Sequence, residues 1–417
     1  MATVSDLPNP IQSRDIAEAL ARDEFVFHYQ PKVSLLTGRV SGAEALIRWP
    51  RPDGGLVQPG AFIPLAESTG LIRDISLAMF PKLVADLVII QDVNPELVVS
   101  FNLTAQDFES DAMAACMRET VANYRIEPRH LQVELTETSV INSAPEVREH
   151  IQSVVDMGVG LAMDDYGTGY SSIDVLSQWP FEVVKIDQGL IRRMLTSEKS
   201  TTIVQASIRM AHQLGIQVVA EGIESAGVYD FLLNAGCTEA QGYWLGRPMP
   251  LSDLMGYVRQ DQRWSGLPIG LIHMAQLDHI QWRRTLVDQV MAATFRNGEA
   301  DSVRIVGAEM NHRFCKLGQW YYGLGQEFKG YPAFDALERP HQALHEIGRL
   351  LVQAVERSAS REAVTNLLRQ LTRQSGVVLG LLQELENEAL LRRGSFEGPP
   401  ESAPRGRGAK TALRARP

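Results

Sequence analysis

Two neighbouring carboxylates, Asp164 and Asp165, stand directly before a Gly-Thr-Gly sequence in the stretch DDYGTGYSS. Such a stretch is typical of a plain turn, of a phosphate-binding loop or of half of a metal site. Other side chains that could complete a metal site are spread along the chain. They are Glu44, Asn102, Glu134 and Glu221, with Lys185 as an accompanying cation. Whether these side chains meet depends on the secondary structure that carries them.

Each of these residues falls on a short β-rich run, and helical patterns separate most of the runs. Alternating strands and helices predict a parallel sheet, and eight such units predict an α/β fold of the TIM-type (β/α)8 barrel class. The eight runs span residues 24–30, 39–49, 97–103, 131–137, 160–165, 182–187, 217–223 and 238–244.

The carboxyl ends of barrel strands meet at one face, so we expect the polar side chains there to form a single site. Solvated loop ends would explain one or two polar side chains, but every run supplies one. In chain order they are Gln30, Glu44, Asn102, Glu134, Asp164 with Asp165, Lys185, Glu221 and Gln241.

Five carboxylates in one site would repel one another and raise one another's pKa values. Divalent cations would keep these acids ionised, and oxygen ligands suit Mg²⁺ or Mn²⁺. Five acids are more than one ion needs, so we expect two ions, an arrangement that promotes in-line attack on a phosphodiester. Arg48, four residues after Glu44, could then clamp a phosphate oxygen, or it could be a surface cation.

The order and spacing of eight motifs resemble the EAL-domain family of cyclic di-GMP phosphodiesterases over residues 12–260. The motifs are FHYQP (27–31), AEALIRW (43–49), FNLT (101–104), ELTET (134–138), DDYGTGYSS (164–172), VVKID (183–187), VVAEGIES (218–225) and QGYWLGRPMP (241–250). The resemblance implies a modified barrel with one irregular strand direction near its start. It also implies hydrolysis of cyclic di-GMP to linear pGpG.

The resemblance assigns roles to individual residues. The first metal ion would be held by Glu44, Asn102, Glu134 and Asp164, and the second by Asp164, Asp165 and Glu221. Lys185 would orient or deprotonate the attacking water, and with Glu44 and Glu221 it would form the catalytic group. Substrate contacts would come from Gln30, Leu46, Arg48 and Gln241. Glu137 and Glu224 would support the ligands, with Glu137 anchoring the loop after Asp165.

Residues 271–393 show helical patterns and no strand pattern, which predicts an all-α helical bundle. We expect helices at about 271–297, 302–322, 333–358 and 360–393. We place an N-terminal extension at 1–11, the barrel at 12–260, a linker at 261–270, the bundle at 271–393 and a disordered basic tail at 394–417.

His341 and His345 are four residues apart, so they share one face of a helix and could form half of a zinc site. Such a pair alone is often a chance feature of the protein surface that binds no metal. The motifs LDHIQW (277–282), CKLGQW (315–320) and RPHQALH (339–345) resemble the chemoreceptor zinc-binding (CZB) domain. The resemblance implies one Zn²⁺ bound by His279, Cys315, His341 and His345.

Four protein ligands would close the coordination sphere of the zinc ion, so we expect a structural or sensory site. Loss of zinc or oxidation of Cys315 would remove a ligand, and we expect either event to regulate the barrel. An alternative is a catalytically silent cyclic di-GMP receptor that signals through the helical domain.

The bulk composition restricts the partners. The net charge of −10 argues against binding to DNA or RNA polymers and against a nonspecific nuclease. Three cysteines indicate a reducing compartment, and we expect a bacterial cytoplasmic protein without a membrane span. We also expect a homodimer, and an unknown signalling partner is a further candidate.

Overall fold

The computed structural model describes residues 11–51, 54–141, 143–167, 172–266, 269–295 and 308–393. The tail predicted over 394–417 and, except for Ile11, the extension predicted over 1–11 lie outside the described residues. Among the described helices, none combines the length and apolar character needed to cross a membrane.

The predicted barrel is present, and all eight predicted runs contribute a strand to it. A single sheet has the order β1-β9-β8-β7-β6-β5-β4-β2-β3, and pairing of β1 with β2 closes it. The strands are β1 (Val26–Ser34), β2 (Val40–Pro50), β3 (Leu56–Val57), β4 (Val98–Asn102), β5 (Leu131–Thr136), β6 (Gly160–Tyr166), β7 (Val183–Ile186), β8 (Gln217–Ala220) and β9 (Glu239–Gln241). The short β3 is an addition at the edge of β2.

The strand β1 is the irregular one. It runs antiparallel to both β2 and β9, whereas β2 and β4 to β9 are parallel to one another. Gln30 therefore reaches the site because it lies opposite Glu44 in the register of β1 and β2. Our expectation that Gln30 stands at the carboxyl end of its strand is wrong, because β1 continues to Ser34 in the opposite direction.

Helices surround the barrel and continue into the bundle. The barrel helices are α1 (Ser13–Ala21), α2 (Ile63–Thr69), α3 (Leu71–Gln91), α4 (Ala112–Tyr124), α5 (Glu137–Ile141), α6 (Pro145–Asp156), α7 (Ser172–Gln178), α8 (Gln188–Met194), α9 (Glu198–Leu214), α10 (Ala226–Ala235) and α11 (Leu251–Arg259). The bundle helices are α12 (Ile269–Phe295), α13 (Lys316–Tyr322), α14 (Pro332–Glu356) and α15 (Arg361–Arg393).

Local sequence sets the ends of the helices that border the bundle. Ser197 caps α9, and its hydroxyl accepts the N–H of Ser200 at 3.2 Å. Gly215 then ends α9 in the left-handed conformation with a φ of 77°. Gly236 ends α10 in the same way with a φ of 83°. These stops fix where β8 and β9 begin.

One predicted helix of the bundle is shorter than expected. Residues 308–315 are not helical, and α13 covers only the end of the predicted segment at 302–322. The chain folds back before α13 so tightly that a Cβ atom on Gly318 would lie 1.8 Å from the carbonyl oxygen of His312. Cys315 caps the helix, because its Sγ accepts the N–H of Gly318 at 3.2 Å.

The barrel and the bundle share one hydrophobic core. Leu271, Ile272 and Ala275 of α12 are fully buried in this core. The segment predicted as a linker also packs on the barrel, since Trp264 is 3% exposed and its N–H donates to the carbonyl of Gly38 at 2.9 Å. The bundle is therefore fixed against the barrel along this face.

Candidate functional site

The Nζ atom of Lys185 on β7 lies at the centre of a ring of carboxylates inside the barrel mouth. It lies 2.6 Å from Glu134 Oε2, 2.8 Å from Glu221 Oε1, 3.1 Å from Asp164 Oδ1 and 3.5 Å from Glu44 Oε2. The four acids come from β5, the residue after β8, β6 and β2. The structure thus brings together acids that are far apart in the chain, as the barrel topology requires.

Asp165, the fifth predicted acid, depends on an irregularity in β6. In a regular strand neighbouring side chains point to opposite faces, so Asp164 and Asp165 could not both face the site. The register between β6 and β7 shifts just before Tyr166, and Asp165 has a positive φ of 57°. Aspartate tolerates this left-handed backbone better than most residues. Burial and the nearby Asp187 carboxylate raise the pKa of Asp165, and the charge of Lys185 opposes the rise. Asp165 is exposed at the rim of the site, whereas the four acids that pair with Lys185 line its interior.

Two amide side chains hold Glu44 from either side. Asn102 Nδ2 donates to Glu44 Oε1 at 2.8 Å, and Gln241 Nε2 donates to Glu44 Oε2 at 2.6 Å. Gln241 Nε2 also lies 3.2 Å from Gln30 Oε1, and Gln30 Nε2 donates to the carbonyl of Gly246 at 3.1 Å. Because Asn102 turns its nitrogen toward Glu44, its Oδ1 atom is the one that could ligate a metal ion.

Burial and mutual repulsion disfavour the charged forms of several acids in the ring. Burial and the neighbouring carboxylates raise the pKa of Glu44, and they raise the pKa of Glu221 to about 8. Glu134 differs, because the ammonium groups of Lys185 and Lys32 outweigh its burial and lower its pKa to about 2. The ring as a whole therefore favours additional positive charge.

The donor atoms of the ring suit divalent cations. They are carboxylate and amide oxygens, without thiolate or imidazole, which is the ligand set that Mg²⁺ and Mn²⁺ prefer. The four carboxylates of the ring outnumber the ammonium groups of Lys185 and Lys32 by two. The residues present therefore fit a site for divalent cations.

Lys32 is a member of the ring that sequence analysis missed. Its Nζ atom lies 3.4 Å from Glu134 Oε1 and 3.2 Å from Gln132 Oε1, and the residue is 2% exposed. The spacing in the sequence could have revealed it, because Lys32 follows Gln30 by two residues and alternate side chains of a strand share a face. Glu134 is consequently held between Lys32 below and Lys185 above.

A cavity of about 290 Å³ lies over the ring. It is lined by the predicted residues Gln30, Leu46 and Gln241, and also by Gln188, Arg192 and Tyr243, which sequence analysis missed. An adjoining, mostly apolar cavity of about 650 Å³ shares Leu46 and Asn102 with it. In the described part of the chain Arg48 lines neither cavity; it is buried, and its Nη1 atom donates to the carbonyl of Ile47 at 2.8 Å.

Two further acids were expected to support the ligands. Glu137 is buried at the start of α5, directly after the strand that carries Glu134. Glu224 instead lies on the exposed rim, where it pairs with Arg192 at 2.6 Å. The loop that Glu137 was expected to anchor continues beyond Gly167 with residues that lie outside the described part of the chain.

In the bundle, three of the four predicted zinc ligands meet. Ligand atoms of Cys315, His341 and His345 all lie within 4.8 Å of one another, and Cys315 Sγ is 3.3 Å from His341 Nε2. Ligand atoms around one tetrahedral zinc ion lie about 3.5 Å apart. Sequence spacing correctly placed the two histidines on one face of α14, and the cap of α13 brings Cys315 to them.

The fourth predicted ligand, His279, lies outside this three-residue group. Its Nε2 atom is 2.8 Å from Ser375 Oγ on α15, and both residues are buried. Sequence analysis missed Ser375, because no motif connects residues on helices so far apart in the chain. The helix that carries His279 nevertheless touches the group, since Trp282, three residues further along α12, packs on the ring of His345 with centroids 4.3 Å apart.

The electrostatics of this cluster suit a metal ion. Burial lowers the pKa values of His279 and His345 to about 4 and that of His341 to about 3, so the imidazoles are neutral, as metal ligands must be. Burial raises the pKa of the Cys315 thiol to about 11. A bound cation would favour the thiolate form and would release its proton. These residues therefore fit Zn²⁺.

Comparison with known proteins yields a match for each part of the chain. The EAL domain model matches residues 13–248, and the chemoreceptor zinc-binding domain model matches residues 279–352. MucR of Pseudomonas aeruginosa, a bifunctional diguanylate cyclase/cyclic di-GMP phosphodiesterase, is 36% identical over 245 residues, or 58% of this chain and 36% of MucR. RocR, a cyclic di-GMP phosphodiesterase of the same organism, is 33% identical over 254 residues, or 61% of this chain and 64% of RocR.

Solved structures resemble the barrel. The MucR phosphodiesterase in complex with c-di-GMP is 36% identical, with a TM-score of 0.55 over 58% of this chain and 98% of that chain. An EAL domain protein from Listeria monocytogenes is 26% identical, with a TM-score of 0.53 over 60% of this chain and 98% of that chain. The chain spans only about a third of the length of MucR and of the signaling protein YkoW of Bacillus subtilis, to which it is 38% identical over 239 residues, or 57% of this chain and 30% of YkoW.

The pairing of Lys32 with Glu134 generates a stability prediction. Lys32→Met removes one ammonium group from a buried ion pair, which we expect to lower the free energy of unfolding by about 3 kcal/mol. Thermal or urea unfolding of the full chain measures the change. Lys199→Met, at an exposed position on α9, is the matched control and should unfold like the unmodified chain. Equal stability of the two variants would show that Lys32 does not support Glu134.

Proposed function

This chain belongs to the EAL-domain family, and we propose on that premise that its barrel hydrolyses one phosphodiester bond of cyclic di-GMP to give linear pGpG. The observation that carries this proposal is the ring of four acids around Lys185. The relatives MucR and RocR, which are both described as cyclic di-GMP phosphodiesterases, support the choice of substrate.

Two Mg²⁺ or Mn²⁺ ions would, when bound, activate a water molecule and neutralise charge on the phosphate. Glu44, Asn102, Glu134 and Asp164 would hold the first ion, and Asp164, Asp165 and Glu221 the second. The amides of Asn102 and Gln241 keep the Glu44 carboxylate oriented toward the ring. Lys32 forms an ion pair with Glu134 and keeps that carboxylate oriented in the same way.

Lys185 would orient or deprotonate the attacking water. Its Nζ atom contacts Glu134, Asp164 and Glu221 at the same time, so it lies next to both groups of proposed metal ligands, where it could reach the attacking water. The side chain is 1% exposed, which fixes its position. A buried cation held at this point acts on the reacting water without rearrangement of the site.

The substrate would lie in the cavity above the ring. Gln30, Leu46 and Gln241 line this cavity and would contact the nucleotide. The two phosphates of cyclic di-GMP are anionic, so the acids alone would repel them and bound cations would reverse that repulsion. Arg48, buried on β2, would contribute positive charge from that strand.

The second part of the proposal is that zinc or oxidation at the bundle regulates the barrel. One polar contact and one shared cavity connect neighbours of the predicted zinc ligands to the barrel in the described part of the chain. Asp278, the neighbour of His279, places Oδ2 3.2 Å from Nε2 of His212 on α9. Lys316, the neighbour of Cys315, lines a cavity of about 200 Å³ at the junction with the barrel.

On the barrel side, the residues of this junction lie directly before the strand that precedes one acid of the ring around Lys185. The helix α9 ends at Gly215, and β8 begins at Gln217; both residues line the junction cavity with Lys316. The residue that follows β8 is Glu221, one of the proposed metal ligands. A displacement of the bundle would therefore act on the strand that positions this ligand. The expected homodimer and cytoplasmic location stay predictions.

Hydrolysis depends on Glu44 and Lys185 if the ring is catalytic. We expect Glu44→Gln and Lys185→Met each to reduce hydrolysis of cyclic di-GMP in Mg²⁺ or Mn²⁺ at least about 100-fold, because each removes a charge at the reacting centre. Chromatography of cyclic di-GMP and pGpG measures the rate. Glu182→Gln, an exposed acid at the opposite end of the barrel, is the control and should retain activity.

The same assay separates an enzyme from a silent receptor. Intact dinucleotide after long incubation of the unmodified chain, together with saturable binding, would replace the enzyme proposal with the receptor. Near-normal hydrolysis by either ring variant would overturn the assigned roles while leaving the enzyme itself in place.

Zinc removal tests regulation. We expect the hydrolysis rate of the zinc-loaded chain to differ at least about 5-fold from that of the selectively chelated chain and of Cys315→Ser, which is the scale of ordinary coupling between sites. Asp278→Asn should reduce this difference, because it weakens the contact with His212. Asp288→Asn, an exposed position on the same helix, is the control. Identical rates in all zinc states would end the regulatory proposal.

A further inference from the structure

Ser375 interrupts an otherwise apolar face of α15. Its neighbours at helical spacing are fully buried, and they are Leu371, Val378, Leu382 and Leu385. Ser375 itself is 1% exposed. A buried hydroxyl costs free energy unless it forms a hydrogen bond, so its partner explains its presence.

That partner is His279 and not the backbone of α15. Serine and threonine inside helices commonly bond to the carbonyl four residues earlier. On α15 the hydroxyls of Thr365 and Thr372 do so, at 2.7 and 2.9 Å. The hydroxyl of Ser375 instead lies 2.8 Å from His279 Nε2 on α12. Ser375 therefore links two helices at the edge of the zinc cluster.

A metal-bound histidine uses one ring nitrogen for the metal and donates the N–H of the other to the protein, and that partner fixes the tautomer and the ring orientation. With Nε2 engaged by Ser375, the nitrogen of His279 that remains for a metal is Nδ1. The ring of His345 is fixed by a different contact, since Trp282 packs on it with ring centroids 4.3 Å apart.

We propose that Ser375 is a positioning residue of the zinc site, which accepts the N–H of His279 Nε2 and so presents Nδ1 to the ion held by Cys315, His341 and His345. This inference rests on the proposed zinc site. It makes α15, which lies beyond the residues matched by the zinc-binding domain model, part of that site.

Zinc affinity of the full chain, measured by competition with a chromophoric chelator, tests this role. We expect Ser375→Ala to weaken zinc binding about 10- to 100-fold, the usual effect of losing such a partner. Thr372→Ala removes a hydroxyl that bonds only within α15 and should leave the affinity unchanged. Unchanged or tighter binding by Ser375→Ala would overturn the proposal.

A matched pair separates positioning from packing. Ser375→Thr and Ser375→Val have the same shape, and they differ only in the hydroxyl group. We expect the threonine variant to bind zinc more tightly than the valine variant, and equal affinities would overturn the proposal even if both variants are less stable. With Co²⁺ as the probe, the valine variant should keep the sulfur-to-metal charge-transfer band of Cys315 but change the d–d bands, because His279 is misaligned.

A third variant distinguishes failure of this inference from failure of the zinc site. His345→Ala removes a proposed ligand and should abolish tight zinc binding. If it binds zinc like the unmodified chain, the zinc site itself is wrong. If His345→Ala loses zinc while Ser375→Ala does not, the site stands and only the role of Ser375 falls.

Discussion

One buried ammonium group, that of Lys185, lies within 3.5 Å of four carboxylates, three on different strands and the fourth directly after β8. This cluster depends on closure of the barrel, because the closed sheet brings acids that are distant in sequence to one point. The closure depends on β1, which runs against its neighbours and places Gln30 beside Glu44. Lys185 and Lys32 together do not balance the four acids of the ring, and this excess of negative charge is the physical reason to expect divalent cations.

The second constraint is the continuous core between the barrel and the bundle. Close backbone approach makes it possible: a Cβ on Gly270 would lie 2.3 Å from the carbonyl oxygen of Asn234 and from the amide nitrogen of Gly236. The helix α12 that begins there carries Asp278 and His279, so one element touches both the barrel and the zinc cluster. A bundle attached by a loose tether would lack this direct contact. The packing gives the proposed regulation a route without requiring a moving lid.

The sequence alone was sufficient to predict the eight strands and the acids that meet around Lys185, because strand-end polarity and family-like motifs are local signals. It placed Gln30 correctly for the wrong reason, since strand direction is a property of the closed sheet. The exposed position of Glu224, the backbone conformation of Asp165 and the bond between Ser375 and His279 all depend on tertiary packing that no local pattern encodes. The predicted helix at 302–322 was too long, because residues 308–315 fold back against α13 and bring the backbone of His312 onto Gly318, a tertiary contact that helix propensity does not encode.

If the ring around Lys185 binds two divalent cations, Mn²⁺ should bind there in the absence of substrate. Electron paramagnetic resonance of Mn²⁺ titrated into the zinc-loaded full chain counts bound ions without relying on turnover. We expect two Mn²⁺ ions per chain with a spectrum showing that they interact, and loss of at least one of them in Asp164→Asn. Absence of saturable Mn²⁺ binding, or unchanged binding of two ions by Asp164→Asn, would rule out the two-cation site.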